Sequence, residues 1–94
     1  MLASHRYLNP KMKAKIAKGI DKIMGLMFKP RNTEPLLFDF GKPVRYAIHS
    51  FFVFFPIHVC LLDKDNTILK DFIMKPFEFV IPNNYYYKIL EVPT

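Results

Sequence analysis

Between Ile48 and Val59 the chain reads IHSFFVFFPIHV, and few folds can accommodate such a stretch. The apolar run around it, Ala47 to Leu62, is sixteen residues long. That is short of the about 18 to 20 needed to cross a bilayer core, and it carries His49, Ser50, Pro56 and His58, so it predicts no membrane span. Ile48, Phe51, Phe52, Val53, Phe54, Phe55, Ile57 and Val59 are β-branched or aromatic, which favours strand. Pro56 cannot donate to a ladder, so the expectation is two shorter strands, or one bent strand with a bulge or edge position at Pro56. A period of two then places Phe51, Val53, Phe55, Ile57, Val59 and Leu61 on a core face, and Ser50, Phe52, Phe54, His58 and Cys60 on a mixed surface. His49 shares parity with the core set.

Around this run the chain reads as mainly β. Leu36, Phe38 and Phe40 alternate inward with Asp39 outward, and Gly41-Lys42-Pro43 reads as a turn. Asp63-Lys64-Asp65-Asn66 has the composition of a hairpin loop. Residues 67–74 are apolar on both faces (Ile68, Leu69, Phe72, Ile73, Met74), predicting a strand covered on two sides. Phe77, Phe79 and Ile81 alternate around Glu78, Pro82-Asn83-Asn84 turns again, and Tyr85 to Val92 makes a last strand. The loops are too short for helical crossovers, so the fold class is mainly β (α+β), a small antiparallel sandwich or partly open barrel. One N-terminal amphipathic helix should pack on it. Asn9 suits the N-cap and Pro10 the first helical position. Met12, Ile16, Ile20, Ile23 or Met24, and Met27 recur every three or four residues, with Gly25 as C-cap.

With 94 residues, half of them apolar and ten of them Phe, the chain is expected to hold one self-sufficient domain over 10–94 after a flexible N-terminus at 1–9. Charge is uneven. Residues 1–31 carry Arg6, Lys11, Lys13, Lys15, Lys18, Lys22, Lys29 and Arg31 against Asp21 alone, giving +7 of the total +6, and the remainder sums to −1. Such a third suits nucleic acid, an acidic partner or an anionic membrane, or serves as a solubility face. Cys60 is the sole cysteine, which excludes an internal disulfide and a cysteine metal cluster, and suits a small core residue. The start has no apolar stretch of secretory length, so a cytoplasmic protein is expected.

Several blocks carry a resemblance. Gly25-Leu26-Met27-Phe28-Lys29, Leu36 to Phe40, Ile48 to Ile57, Leu62-Asp63 and Leu90-Glu91-Val92-Pro93 follow one another as do the blocks of the family called domain of unknown function 192. The chain resembles its archaeal-type members most, over about residues 16–93, with His and aromatics where many bacterial members carry Trp-Met-Lys-Asn. The resemblance implies a compact β sandwich or barrel and supplies no activity, cofactor or catalytic residue. Two departures stand out. His58 follows Pro56-Ile57 where members usually carry Asp, and members usually continue past the Leu-Glu-x-Pro block. A missing closing strand would leave a sheet edge open for a second copy or a partner.

The candidate site residues follow. Arg45, His49, Ser50 and Glu91 are expected to meet at one end of the sheet as a polar pocket for a small anionic ligand, with Arg45 matching its charge and His58 a further candidate. Ser50 has no general-base partner at recognisable spacing, so no catalytic residue is assigned. His49 and His58 have opposite strand parity, so no metal or other cofactor is expected. Lys11, Lys15, Lys18, Lys22, Lys29, Arg31, Tyr86 and Lys88 form a second set, basic and aromatic, of the kind that contacts nucleic acid. A non-enzymatic module binding a ligand or partner is the primary expectation. A nucleic-acid accessory protein is the alternative, and an enzyme whose groups converge only in space is a third.

Overall fold

The computed structural model describes residues 14–16 and 25–94. Seven strands run through them: β1 (Lys15–Ile16), β2 (Leu36–Val44), β3 (Ile48–His49), β4 (Ile57–Leu62), β5 (Ile68–Met74), β6 (Phe79–Val80) and β7 (Tyr86–Pro93). Five form one sheet in the order β1-β2-β7-β4-β5, and β3 pairs with β6 in a separate ribbon. Apart from the parallel β1–β2 contact, every pairing is antiparallel. The fold is mainly β, and its sheets stay open among the described residues, with no closure into a barrel. No helix among the described residues is long and apolar enough to cross a membrane.

The helix expected from residue 10 onward falls outside the described residues except at 14–16 and at its C-terminal end, where 25–28 form a turn; at Lys15–Ile16 it is not helical. There the chain is extended and pairs with Leu36–Leu37, whose outer backbone edge supplies the ladder partners. The flexible segment expected at 1–9 also lies outside the described residues.

The centre of the sheet explains the apolar density of its strands. Ile57, Val59 and Leu61 of β4 join Leu36, Phe38, Val44, Met74 and Ile89 in the main core. The opposite face of the same strands buries Cys60 directly across from Leu90, together with Leu62, in a smaller cluster that includes Ala14 and Val92. Each fully buried Leu or Ile here contributes about 1.5–3 kcal/mol. Cys60 is thus the core residue its chemistry suggests, although parity alone would have put it on the mixed face.

Three expectations are corrected. The Phe-rich run does split at Pro56, but β3 ends at His49 and the chain turns at Phe51 and Phe52, with Phe52 at φ +60°. The turn resets the alternation, so Ser50 is buried and Phe51 exposed, the reverse of their assignment. Gly41-Lys42-Pro43 does not turn the chain but forms a bulge within β2, where the register against β7 slips between Asp39 and Val44. Gly41 sits there at φ +69° and its N–H donates to Asp39 Oδ1 at 3.0 Å, while the bulge excuses Pro43 from donating to the ladder. β5 is not covered on two sides; it pairs only with β4 and leaves Leu69 and Ile73 exposed. The last strand, β7, is internal to the sheet. It lies between β2 and β4, and Thr94 fastens its end by donating from N and Oγ1 to Pro56 O at 3.0 and 3.1 Å. The outermost strands of the described sheet are β1 and β5.

Candidate functional site

Beside the central strands lies a cleft of about 290 Å³, near the lower end of the ~300–1,000 Å³ usual for small-molecule sites. Phe38 and Phe40 from β2, Tyr46 from the loop after it, and His49 and Val53 from the Phe-rich run form its walls, and the Gly25–Leu26 turn closes one side. Glu91 lies among them on β7.

The backbone register puts Glu91 there. Leu36 flanks it on β2 and Val59 on β4, both buried in the main core, so Glu91 points to the same side as they do. Only 7% of it is exposed. Burial alone pushes its carboxyl from 4.5 up to about 7. Among the described residues no donor hydrogen-bonds to it, and its oxygens are not sealed, since no buried side-chain oxygen there lacks both a partner and an opening. The carboxyl therefore faces the cleft. Gly25 lies against it: the residue sits at φ +57°, and a Cβ there would make ordinary contacts, 3.4 Å from Glu91 Oε1 and 3.6 Å from the Phe38 ring. The left-handed turn is what calls for glycine.

His49 supplies the second polar group. Its Nδ1 accepts from Phe51 N at 3.2 Å and its ring stacks on Phe51 with centroids 5.0 Å apart. An accepting Nδ1 fixes the neutral tautomer with its proton on Nε2, so the imidazole offers a donor as well as an apolar face.

The other expected residues disperse. Ser50 is fully buried but its hydroxyl is spent, donating to Lys75 O at 2.6 Å and accepting from Glu78 N at 2.8 Å. Arg45 is exposed, with its guanidinium carbon 5.6 Å from the centroid of the Tyr85 ring, and it does not line the cleft. His58 is on β4, where Nε2 meets Asp71 Oδ2 at 2.7 Å and Cys60 Sγ at 3.8 Å. Carboxylate and thiol address the same ring nitrogen, whereas a Cys-His-Asp relay needs one on each, so this trio is not a nucleophile system. No cluster of three His, Cys, Asp or Glu among the described residues could hold a metal.

The basic and aromatic set fares similarly. Lys11, Lys18 and Lys22 lie outside the described residues, and only the backbone of Lys15 is described. Arg31 is exposed and Lys29 half-buried. Tyr86 is fully buried, donating its hydroxyl to Tyr46 O at 2.7 Å, and its phenol is pushed up to about 12, chiefly by burial. Lys88 Nζ donates to Asn66 Oδ1 at 2.7 Å and lies 4.0 Å from Asp39 Oδ2. The aromatic walls Phe40 and Tyr46 were absent from the expected site. They flank the Gly41-Lys42-Pro43 segment, and only its bulge geometry brings both to the cleft.

No family model matches the chain and no curated protein does. Among solved structures, the fold is similar to that of a proposed transcription regulator from Sinorhizobium meliloti, with a TM-score of 0.78 and 18% identity over 88% of this chain and 69% of that one. It is also similar to a protein of unknown function from Novosphingobium aromaticivorans, with a TM-score of 0.71 and 14% identity over 87% of this chain and 63% of that one. The chain thus spans about two thirds of the length of each, and at these identities the likeness concerns the fold.

Proposed function

We propose that this protein is a non-catalytic binding module whose cleft takes a small molecule with an apolar body and a hydrogen-bond-donating, preferably cationic, head group seated on Glu91. One observation carries the reading: a carboxyl this deeply buried has no donor among the described residues, and a buried polar group left so is costly unless something else pairs with it. Phe38, Phe40 and Tyr46 suit an apolar body and a neighbouring cation alike. This changes the ligand class anticipated from the sequence. An anion would need Arg45, which is engaged with Tyr85 away from the cleft, and would face Glu91 instead.

A nucleic-acid role finds support in the basic residues 1–31 and, at the level of fold, in the neighbour proposed to regulate transcription. It is the second reading because buried Tyr86 cannot stack on a base and Lys88 is already engaged. Kinship with the domain of unknown function 192 family rests on the ordered sequence blocks and the mainly β architecture, and cytoplasmic residence on the sequence alone.

The test is a titration with 2-phenylethylamine, 2-phenylethanol and 3-phenylpropionate, followed by amide shifts of the cleft residues. The amine should bind best and the carboxylate worst, and Glu91→Gln should level amine and alcohol. Because only ionised Glu91 pairs with a cation, amine affinity should fall by roughly 50- to 100-fold between pH 8 and pH 5. Preference for the carboxylate, or silence at Phe38, Tyr46 and His49 with all three compounds, overturns the proposal.

A further inference from the structure

Phe28, Phe52, Phe54 and Phe77 form one exposed cluster, each of them 45–62% accessible. Phe28 stacks on Phe52 with centroids 5.1 Å apart, and Phe77 meets Phe52 and Phe54 edge-on at 5.8 and 5.7 Å. Three of these four hold left-handed backbones: Phe28 at φ +62°, Phe52 at +60° and Phe77 at +63°. For a bulky L-residue that conformation is an outlier and costs about 1–2 kcal/mol. Asn66, at φ +68° in the β4–β5 loop, shows the ordinary solution at such a position.

The strain is held in place from below. Ser50 ties its own turn to the loop at Lys75–Glu78: its N–H donates to Glu78 O, its carbonyl accepts from Val53 N and Phe77 N, and its hydroxyl joins Lys75 O and Glu78 N. Phe28 N donates to Phe52 O at 2.8 Å, clamping the Gly25–Phe28 turn to the same assembly. Unfavourable backbone is thereby used to point rings into water, which is unfavourable again. Folding gains from neither, and strain of this kind collects where a surface has work to do.

Ring chemistry and charge select the occupant. All four rings are Phe, with no hydroxyl or indole N–H to satisfy, which suits a medium apolar throughout. The Phe28–Phe52 stack closes one face of each of these rings to an incoming base. The flanking residues Lys29, Arg31 and Lys75 are basic, Glu78 Oε1 is occupied by Lys75 N at 2.7 Å, and residues 1–31 as a whole carry +7. We infer that this phenylalanine platform docks the protein on an anionic lipid surface, its rings at the headgroup–acyl boundary and its cations among the headgroups. The inference does not depend on the Glu91 cleft.

The chain has no Trp, so Phe54→Trp places a single reporter on the platform. Vesicles of phosphatidylcholine with phosphatidylserine should blue-shift its emission and carry the protein in flotation, and pure phosphatidylcholine should do neither. In the otherwise native chain, Phe52→Gly and Phe77→Gly should each reduce partitioning by about tenfold while leaving the melting temperature unchanged or raised, because glycine relieves the backbone as the ring is lost. Equal partitioning of the glycine variants, equal binding to neutral vesicles, or a clear fall in their melting temperature overturns the inference. So does self-association or oligonucleotide binding that the glycine variants abolish while vesicles have no effect.

Discussion

Ser50 and Glu91 both bury a polar side chain on the apolar side of this protein, and their surroundings treat them in opposite ways. Around Ser50 each hydrogen-bonding group has a backbone partner, and the residue joins two loops into one body. Around Glu91 the neighbours are Leu36, Val59 and aromatic rings, and no donor among the described residues reaches the carboxyl. A satisfied buried group serves the fold, whereas one left open beside a cleft taxes it. The contrast separates an architectural residue from a candidate binding residue more sharply than burial does, since both are buried.

The largest effect should come from breaking the satisfied side. Ser50→Ala strands Lys75 O and Glu78 N, and at about 1–3 kcal/mol for each orphaned group the loss should be about 3–4 kcal/mol. Urea denaturation should show a lower midpoint at unchanged slope. A loss under about 1 kcal/mol would mean that the two loops hold together without the hydroxyl.

Glu91 should announce itself through pH instead. Its carboxyl titrates near 7 when folded and near 4.5 when unfolded, so between these values the native state binds more protons and stability falls as pH rises. The contribution is complete below pH 4.5 and is lost through pH 7. From pH 5 to pH 8 this group alone should cost about 2.5 kcal/mol. Glu91→Gln should remove that slope, and Ser50→Ala should keep it despite its larger overall loss. A pH profile that Glu91→Gln leaves unchanged would place the carboxyl in contact with solvent or a cation.

These two residues also mark where the sequence could be read and where it could not. The β4–β5 hairpin was legible because its loop is written in local chemistry, with Asp63 Oδ1 accepting from Asp65 N and Thr67 N at 2.8 and 2.9 Å. The inward side of Glu91 could be read from its shared parity with Ile89 on one strand. The cleft above it could not, because it depends on the Gly25–Leu26 turn and the β2 bulge, both remote in sequence. Ser50 misled for a related reason. A turn at Phe51 and Phe52 breaks the period of two, and the bonds that bury Ser50 come mainly from Lys75, Phe77 and Glu78 in another loop. Likewise β5 has the composition of a covered strand, and only the strand order reveals it as an edge.

The smallest effect, at His58, sharpens the contrast from the solvent side. His58 and Asp71 form a diagonal pair across β4 and β5, with side chains 18% and 48% accessible. His58→Asp replaces an attractive contact with two facing carboxylates. Water and counterions reach this edge, so the repulsion should cost only about 0.5–1 kcal/mol at neutral pH and low ionic strength. Raising salt to about 1 M shortens the screening length to about 3 Å and should restore most of that loss. The Glu91 slope should resist the same salt, because its cost is desolvation in a cleft rather than repulsion across an exposed edge. Urea denaturation of His58→Asp in low and high salt, beside the native chain at pH 5 and pH 8, therefore reads both kinds of charge in one experiment. A loss above about 2 kcal/mol that salt does not relieve would show position 58 to be as desolvated as position 91, and the division between architectural edge and binding cleft would have to be redrawn.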